Sequence, residues 1–321
     1  MNKLILITLI SVSTLAHASR EERIIENYEK IKARQEVKLL SSNISIQSNI
    51  QYDAPSANKD NKLDIYYQKN NGTNKPVIVM IHGGAWLVGD KASSSVVKNK
   101  AEFFVNKEDY IFVSINYRME KNNIHPQEVS DVSYAIKWVY ENINKYGGDK
   151  NNLIVMGHSA GAHLATLVTT NHKYLNNVNV PVKSIKGVVS LDTGGFDLPY
   201  LLRSETIKND IGRGVKNKLI LDRIQNTYEM AWKNYSINDL NDASPINFVN
   251  RNVPATLLIE SSKDKAHQLA ADRFQKVLLN NGVSVDRKEY HYSHEEINDN
   301  LGLTEYPITK DVDDFIKKVV K

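Results

Sequence analysis

"VMGHSAGAHL", residues 155–164, passes from strand formers through Gly-His-Ser-Ala-Gly to good helix formers within ten residues. A serine between two glycines at such a junction is either part of a plain tight turn or a nucleophile held on a strained elbow. The neighbouring sequence favours the elbow. Residues 152–156 read as a strand, 157–161 as the turn and 162–169 as a helix, the setting in which Gly-x-Ser-x-Gly carries a nucleophile. The turn needs small residues at 157 and 161, because a side chain there would strike the adjoining strand or helix. Ser159 also falls at a helix N-terminus, where backbone N–H groups favour developing negative charge.

A serine alone does not attack a carbonyl at neutral pH; it needs a base, an orienting acid and an oxyanion site. "VIVMIHGGAW", residues 77–86, supplies a candidate for the last. The amides of Gly83 and Gly84, in a loop after a buried strand, together with that of Ala160, are expected to hold an oxyanion. Each such donor contributes ~3 kcal/mol in comparable sites.

Outward from these motifs, continuous apolar runs recur at 77–81, 110–115, 153–156, 185–191 and 255–259, the pattern of strands buried on both faces of a parallel sheet. Helical periodicity fills 127–146, 265–280 and about 309–320. Strands alternating with helices predict an α/β, mostly parallel, doubly wound sheet. Upstream, "SIQSNIQYD" and "NKLDIYYQK" alternate as an edge hairpin around "APSANKD". No repeats or Pro-rich linkers divide the chain, so one domain is expected over 49–321. Its helices between about 196 and 247 lack a following strand and form an insertion over one end of the sheet.

Composition narrows the functional classes. The 321 residues are 41% hydrophobic, enough for a large core, and carry a net charge of +4 with no long basic run, so no nucleic-acid signature is present. The absence of cysteine excludes disulfides, zinc-thiolate sites, a cysteine nucleophile and a lipid-modified N-terminal cysteine. "MNK", the 12-residue apolar run "LILITLISVSTL" and "AHA" before Ser19 have the form of a cleavable signal peptide, residues 1–18. The run is shorter than the roughly 20 residues that span a bilayer. Cleavage after Ala18, export to the periplasm or the medium, and no stable membrane anchor thereafter are therefore expected. Residues 19–48 read as a charged, weakly periodic helical arm.

"HGGAW" and "GHSAG", with residues 125–165 around them, closely resemble the α/β-hydrolase superfamily, and within it the bacterial esterase and kynurenine-formamidase-like group with His-Gly-Gly-x-Trp. The similarity runs from about Leu63 to the C-terminus. Ala85 stands where lipase-type relatives have a third glycine. The resemblance implies an α/β-hydrolase fold and the chain order nucleophile, acid, histidine. The acid then falls to Asp264, after the strand at 255–259, with Glu260 and Asp192 as rivals. A glycine usual near Ser261 or Ser262 is missing. The base falls to His294, which matches the family's histidine loop, with His291 as competitor inside a strand.

The remaining histidines read as structural. His158 and His163 lie five residues apart, about 140° around a helix, which spoils a shared metal site. His82 is expected to brace the oxyanion loop, His125 to begin a helix, and His172 and His267 to lie on the surface. Trp86, Tyr117 and Phe196, with Tyr200, Tyr228 and Trp232, are candidates to line a substrate pocket. Together these residues imply a cofactor-free, metal-free serine hydrolase of small-molecule carboxylic esters with small or aryl acyl groups. An N-formyl amide hydrolase is the chemical alternative, disfavoured by export. An intact serine, acid, histidine and oxyanion set argues against a non-catalytic binding protein on the same fold.

Overall fold

The computed structural model describes residues 40–55, 60–69, 72–119, 125–203, 231, 232 and 234–320. Residues 1–39, which hold the expected signal peptide and most of the arm, and 204–230, which hold Tyr228 and much of the expected insertion, lie outside them. The described end of the arm is not helical: strand β1, Ile44–Gln51, already begins there. It pairs antiparallel with β2, Lys62–Gln68, as the edge hairpin.

Six further strands follow: β3 (Lys75–Ile81), β4 (Ile111–Ile115), β5 (Gly148–His158), β6 (Ile185–Leu191), β7 (Ala255–Ser261) and β8 (Val285–Tyr290). They join one sheet in the order β1-β2-β4-β3-β5-β6-β7-β8, in which β2 alone runs against its neighbours. The helices, in chain order, are α1 (Ser94–Ala101), α2 (Gln127–Asn142), α3 (Ala160–Thr170), α4 (Lys173–Asn177), α5 (Leu198–Arg203), α6 (Ile237–Asp242), α7 (Lys265–Asn280), α8 (His294–Asn300) and α9 (Pro307–Val319). This is the α/β-hydrolase architecture, and α5 and α6 flank the undescribed part of the insertion.

The apolar runs are explained by burial on two faces. Side chains alternate along a strand, so Val77, Val79 and Ile81 of β3 pack with α2 and α3 on one face. Ile78 and Met80 pack with α1, α8 and α9 on the other. No polar face is needed, and the strands read as continuous hydrophobe. Helix α2 stops at Asn142 and tightens into a 3-10 turn, Ile143–Tyr146, closed by Gly147 at φ 85°.

The register decides what meets at the C-terminal edge of the sheet. Ile81 is opposite Gly157, His158 opposite Leu191, Leu191 opposite Ile259 and Ser261 opposite Tyr290. The residues that leave β3, β5, β6, β7 and β8 therefore emerge side by side, the place where open α/β sheets gather ligands.

Candidate active site

Ser159 sits alone between the end of β5 and the start of α3, with φ 55° and ψ −120°. A non-glycine residue in that region costs ~1–3 kcal/mol, so its surroundings must impose it. They do so through the backbone. The Ser159 amide donates to the Leu191 carbonyl at 2.9 Å, and its own carbonyl accepts from the amides of Ala162 and His163 at 3.0 and 3.1 Å. The flanking glycines are a matter of space: a Cβ on Gly157 would lie 2.2 Å from the Gly161 carbonyl oxygen, and one on Gly161 only 2.1 Å from that of Ile81. Ser159 is half-buried.

The loop after β3 lies against this elbow. A Cβ on Gly83 would be 3.0 Å from the His158 carbonyl oxygen and 3.1 Å from Ser159 Cβ, so the Gly83 backbone is next to the serine. Gly84, Ala85 and Trp86 all have positive φ (118°, 56° and 61°), and at Gly84 a Cβ would collide with Val88 oxygen at 1.8 Å. The turn is closed by the amides of Leu87 and Val88, which donate to the Gly84 carbonyl at 3.1 and 3.0 Å. Behind it, His82 Nδ1 donates to the Gly83 carbonyl at 2.7 Å and the ring stacks on Tyr117, centroids 4.6 Å apart, which is the bracing expected of it. Ala160 opens α3, so its amide is one of the helix N-terminal donors without an i−4 carbonyl.

His294 is the first residue of α8, whose capping box joins Ser293 and Glu296. Its Nδ1 meets Asp192 Oδ2 at 2.7 Å. Because a carboxylate here accepts, Nδ1 holds the proton and Nε2 is left with its lone pair. The ring is 31% exposed while Asp192 is fully buried, the division of solvent access that a base and its orienting acid require.

The carboxylate that meets His294 is thus Asp192 and not Asp264, which corrects the expectation from chain order. Asp192 follows β6 with no intervening residue, as Ser159 follows β5, and His158 and Leu191 are register partners. Asp264 stands three residues beyond β7 and turns back on its own helix: its Oδ1 caps α7 by accepting the His267 amide at 3.1 Å. Glu260, the other rival, is buried in β7, and burial followed by the Asp192 charge raises its pKa far above the usual carboxylate range. His291, past the end of β8 and not inside the ladder, is exposed, with Nδ1 3.1 Å from Ser262 Oγ.

Two histidines expected to be merely structural surround the pair. His158 Nε2 donates to the His294 carbonyl at 2.9 Å, and burial, then the nearby His294, push its pKa well down, so it stays neutral. His267 is buried rather than on the surface, with Nδ1 3.2 Å from Asp192 Oδ1 and 3.5 Å from Asp264 Oδ2. Burial alone would lower its pKa, but the charges of Asp264 and Asp192 raise it to about 9. Burial likewise opposes ionisation of Asp192, yet the His267 charge at 3.2 Å and the hydrogen bond from His294 hold it well below the ordinary value. Among the described residues, Asp192, His267 and His294 also bring donor atoms within 4.8 Å of one another, close enough to hold a metal ion. His163 cannot join a metal site with His158: its Nε2 donates to the Ala243 carbonyl at 2.7 Å and its Nδ1 accepts from Trp86 Nε1 at 3.1 Å.

Three of the expected pocket residues, Trp86, Tyr117 and Phe196, are buried in packing contacts. Tyr117 is fully buried and its hydroxyl donates to the His82 carbonyl at 3.2 Å; Phe196 stacks on Phe274 of α7, centroids 4.4 Å apart. Trp86 is buried against His163 and Trp232. Aromatic residues in apparent loops gave no signal that their rings turn into the core.

The BD-FAE family model matches residues 63–275. The isoprenylcysteine alpha-carbonyl methylesterase ICME of Arabidopsis thaliana is 34% identical over 146 residues, 44% of this chain and 33% of that protein. Esterase LipC of Mycobacterium tuberculosis is 30% identical over 211 residues, 63% of this chain and 48% of that protein. The chain spans a third to about half the length of these relatives. A fungal esterase structure from Rhizomucor miehei superposes with a TM-score of 0.73 at 19% identity, covering 95% of this chain and 92% of the other. A truncated carbohydrate esterase from gut microbiota gives 0.66 at 20% identity, with 88% and 99% covered. At those identities the likeness concerns the fold.

Proposed function

The chain belongs to the BD-FAE family, and from that membership and the geometry at the sheet edge we propose that it is a serine hydrolase of carboxylic esters with small or aryl acyl groups. The observation that carries the proposal is the 2.7 Å contact of His294 Nδ1 with buried Asp192, at the same sheet edge as Ser159 on its strained elbow. Nε2 of His294 removes the proton as Ser159 Oγ attacks the carbonyl carbon, and Asp192 holds the imidazole in the tautomer that leaves Nε2 free. The negative oxygen of the tetrahedral intermediate is taken by the amides of Gly83, Gly84 and Ala160. Collapse breaks the ester C–O bond, and His294 returns the proton to the departing alcohol. Water, deprotonated by the same nitrogen, then attacks the acyl-enzyme and releases the carboxylic acid and free Ser159.

The curated relatives named esterase and methylesterase support ester over N-formyl amide cleavage. We also propose export, with cleavage after Ala18, on the strength of the apolar run and "AHA" before Ser19. One experiment addresses both points: mass spectrometry of the purified mature protein after treatment with a fluorophosphonate. Expected are a chain beginning at Ser19, a single adduct on Ser159, and no turnover of p-nitrophenyl acetate by Ser159→Ala. An adduct elsewhere or an active alanine variant refutes the mechanism, and an intact Met1 refutes export.

A further inference from the structure

The turn after β7 brings two more ionisable residues to the site than a serine, a histidine and one acid require. Asp264 and His267 are buried, and neither touches Ser159 among the contacts of the site. Asp264 uses one oxygen to cap α7 and aims the other at the His267 ring. That ring approaches Asp192 Oδ1, which also accepts the Ser261 amide at 3.0 Å, while Asp192 Oδ2 is left for His294. The rings of His267 and His294 lie edge to face, 5.5 Å between centroids.

We propose that His267 is a positioning residue for ester hydrolysis, held by Asp264 and in turn locking the Asp192 carboxyl plane so that its second oxygen faces His294. The inference rests on the assignment of Ser159, His294 and Asp192 made above. A buried carboxylate with a single partner on one oxygen can rotate about its Cβ–Cγ bond, and the acceptor then leaves the plane of the imidazole. With His267 and the Ser261 amide on one oxygen, that rotation breaks two contacts at once. The charges around His267 come from each element that packs on it: Asp192 after β6, Asp264 before α7 and His294 at the start of α8. Glu260 of β7 and His158 of β5 stand beyond, where burial raises the pKa of the first and lowers that of the second. Two carboxylates sharing one imidazolium leave the cluster with one negative charge, which the His294 imidazolium formed during attack neutralises.

Removing the His267 cation makes the cluster more negative and favours a proton on His294. The acid limb of the kcat/KM profile should then move upward by about one pH unit, since a like charge at this range shifts a neighbour by that order. For p-nitrophenyl acetate we expect His267→Gln to lower kcat about tenfold at pH 7.5 with KM within twofold, and to move the acid limb up. Asp264→Asn removes a negative charge and leaves the cluster no more negative than in the wild type, so it should lower kcat without moving the acid limb up, and the double variant should be no worse than His267→Gln, because Asp264 acts through His267. Asp192→Asn should lose about a thousandfold or more. An unmoved acid limb in His267→Gln, with Asp192→Asn inactive, overturns the role of His267 alone. Asp192→Asn near wild type, with Asp264→Asn inactive, overturns the acid assignment and the inference with it. Should His267→Gln fail to fold, spectra of 15N-histidine-labelled wild type at pH 8 decide. One imidazole protonated on both nitrogens, lost in Asp264→Asn, supports the inference, and its absence from the wild type overturns it.

Discussion

Ser159 and Asp192 both occupy positive φ, at 55° and 50°, immediately after adjacent parallel strands. Each strained residue projects its side chain over the edge of the sheet, and the bond from the Ser159 amide to the carbonyl of Leu191 ties the two turns together. His267 completes this cluster and makes it sensitive to alkali. Its pKa rises from 6.5 to about 9 because the folded state binds the proton more tightly. The stabilisation is therefore fully present below about pH 6.5 and is lost as pH rises through about 9. Melting curves of the wild type should fall between pH 7.5 and 9.5 more steeply than those of His267→Gln. Parallel curves would show that the two carboxylates do not hold a proton on this ring.

At the scale of elements, α8 is only seven residues long, yet it fixes His294. So short a helix is marginal by itself and depends on its ends. At its N-terminus Ser293 Oγ accepts the Glu296 amide at 3.1 Å, and the Glu296 carboxylate accepts the Ser293 amide at 2.6 Å. This capping box orients the first turn, which is where His294 sits. Ser293→Ala removes a cap worth ~1 kcal/mol. The expected result is a Tm lower by about 2 °C, the shift such a loss gives in a large domain. A several-fold lower kcat should accompany it, with KM little changed. A drop in Tm with kcat intact would mean that the His294 carbonyl contact with His158 suffices to hold the ring.

Across the whole molecule, the C-terminal end of α8 is closed by residues 200 positions earlier in the chain. Its exposed carbonyls, the ones a helix cannot satisfy internally, are taken by α1: Lys100 Nζ donates to Asn298 oxygen at 2.6 Å and Asn99 Nδ2 to Asp299 oxygen at 2.7 Å. Lys100 also donates to the Ser95 carbonyl at 2.8 Å and is almost wholly buried, which lowers its pKa to about 7. Lys100→Met fills the space but leaves two buried carbonyls without this donor. Urea denaturation should show a loss of about 2–4 kcal/mol, since each unsatisfied group costs ~1–3 kcal/mol. An unchanged midpoint would mean that water or another donor replaces the ammonium.

The amino-acid sequence by itself determined the strands, the crossover helices, the elbow at Ser159 and the glycine loop after β3. All of these are local signals: apolar runs of strand length, helical spacing, and glycines where a side chain has no room. Residues 185–191 and 265–280 form the very strand and helix their patterns predict. Which carboxylate meets His294 is a different kind of fact. Asp192 and Asp264 both follow buried strands, and chain order pointed to the later one. The choice depends on how far each turn travels before it reverses, and on the register that puts Leu191 beside His158 and sends Asp264 back to cap α7. The burial of Tyr117, Phe196 and His267 was hidden for the same reason. Local sequence encodes a residue's backbone and its polarity, but its partners across 100 positions are chosen only when the sheet closes its register and the helices pack on its faces.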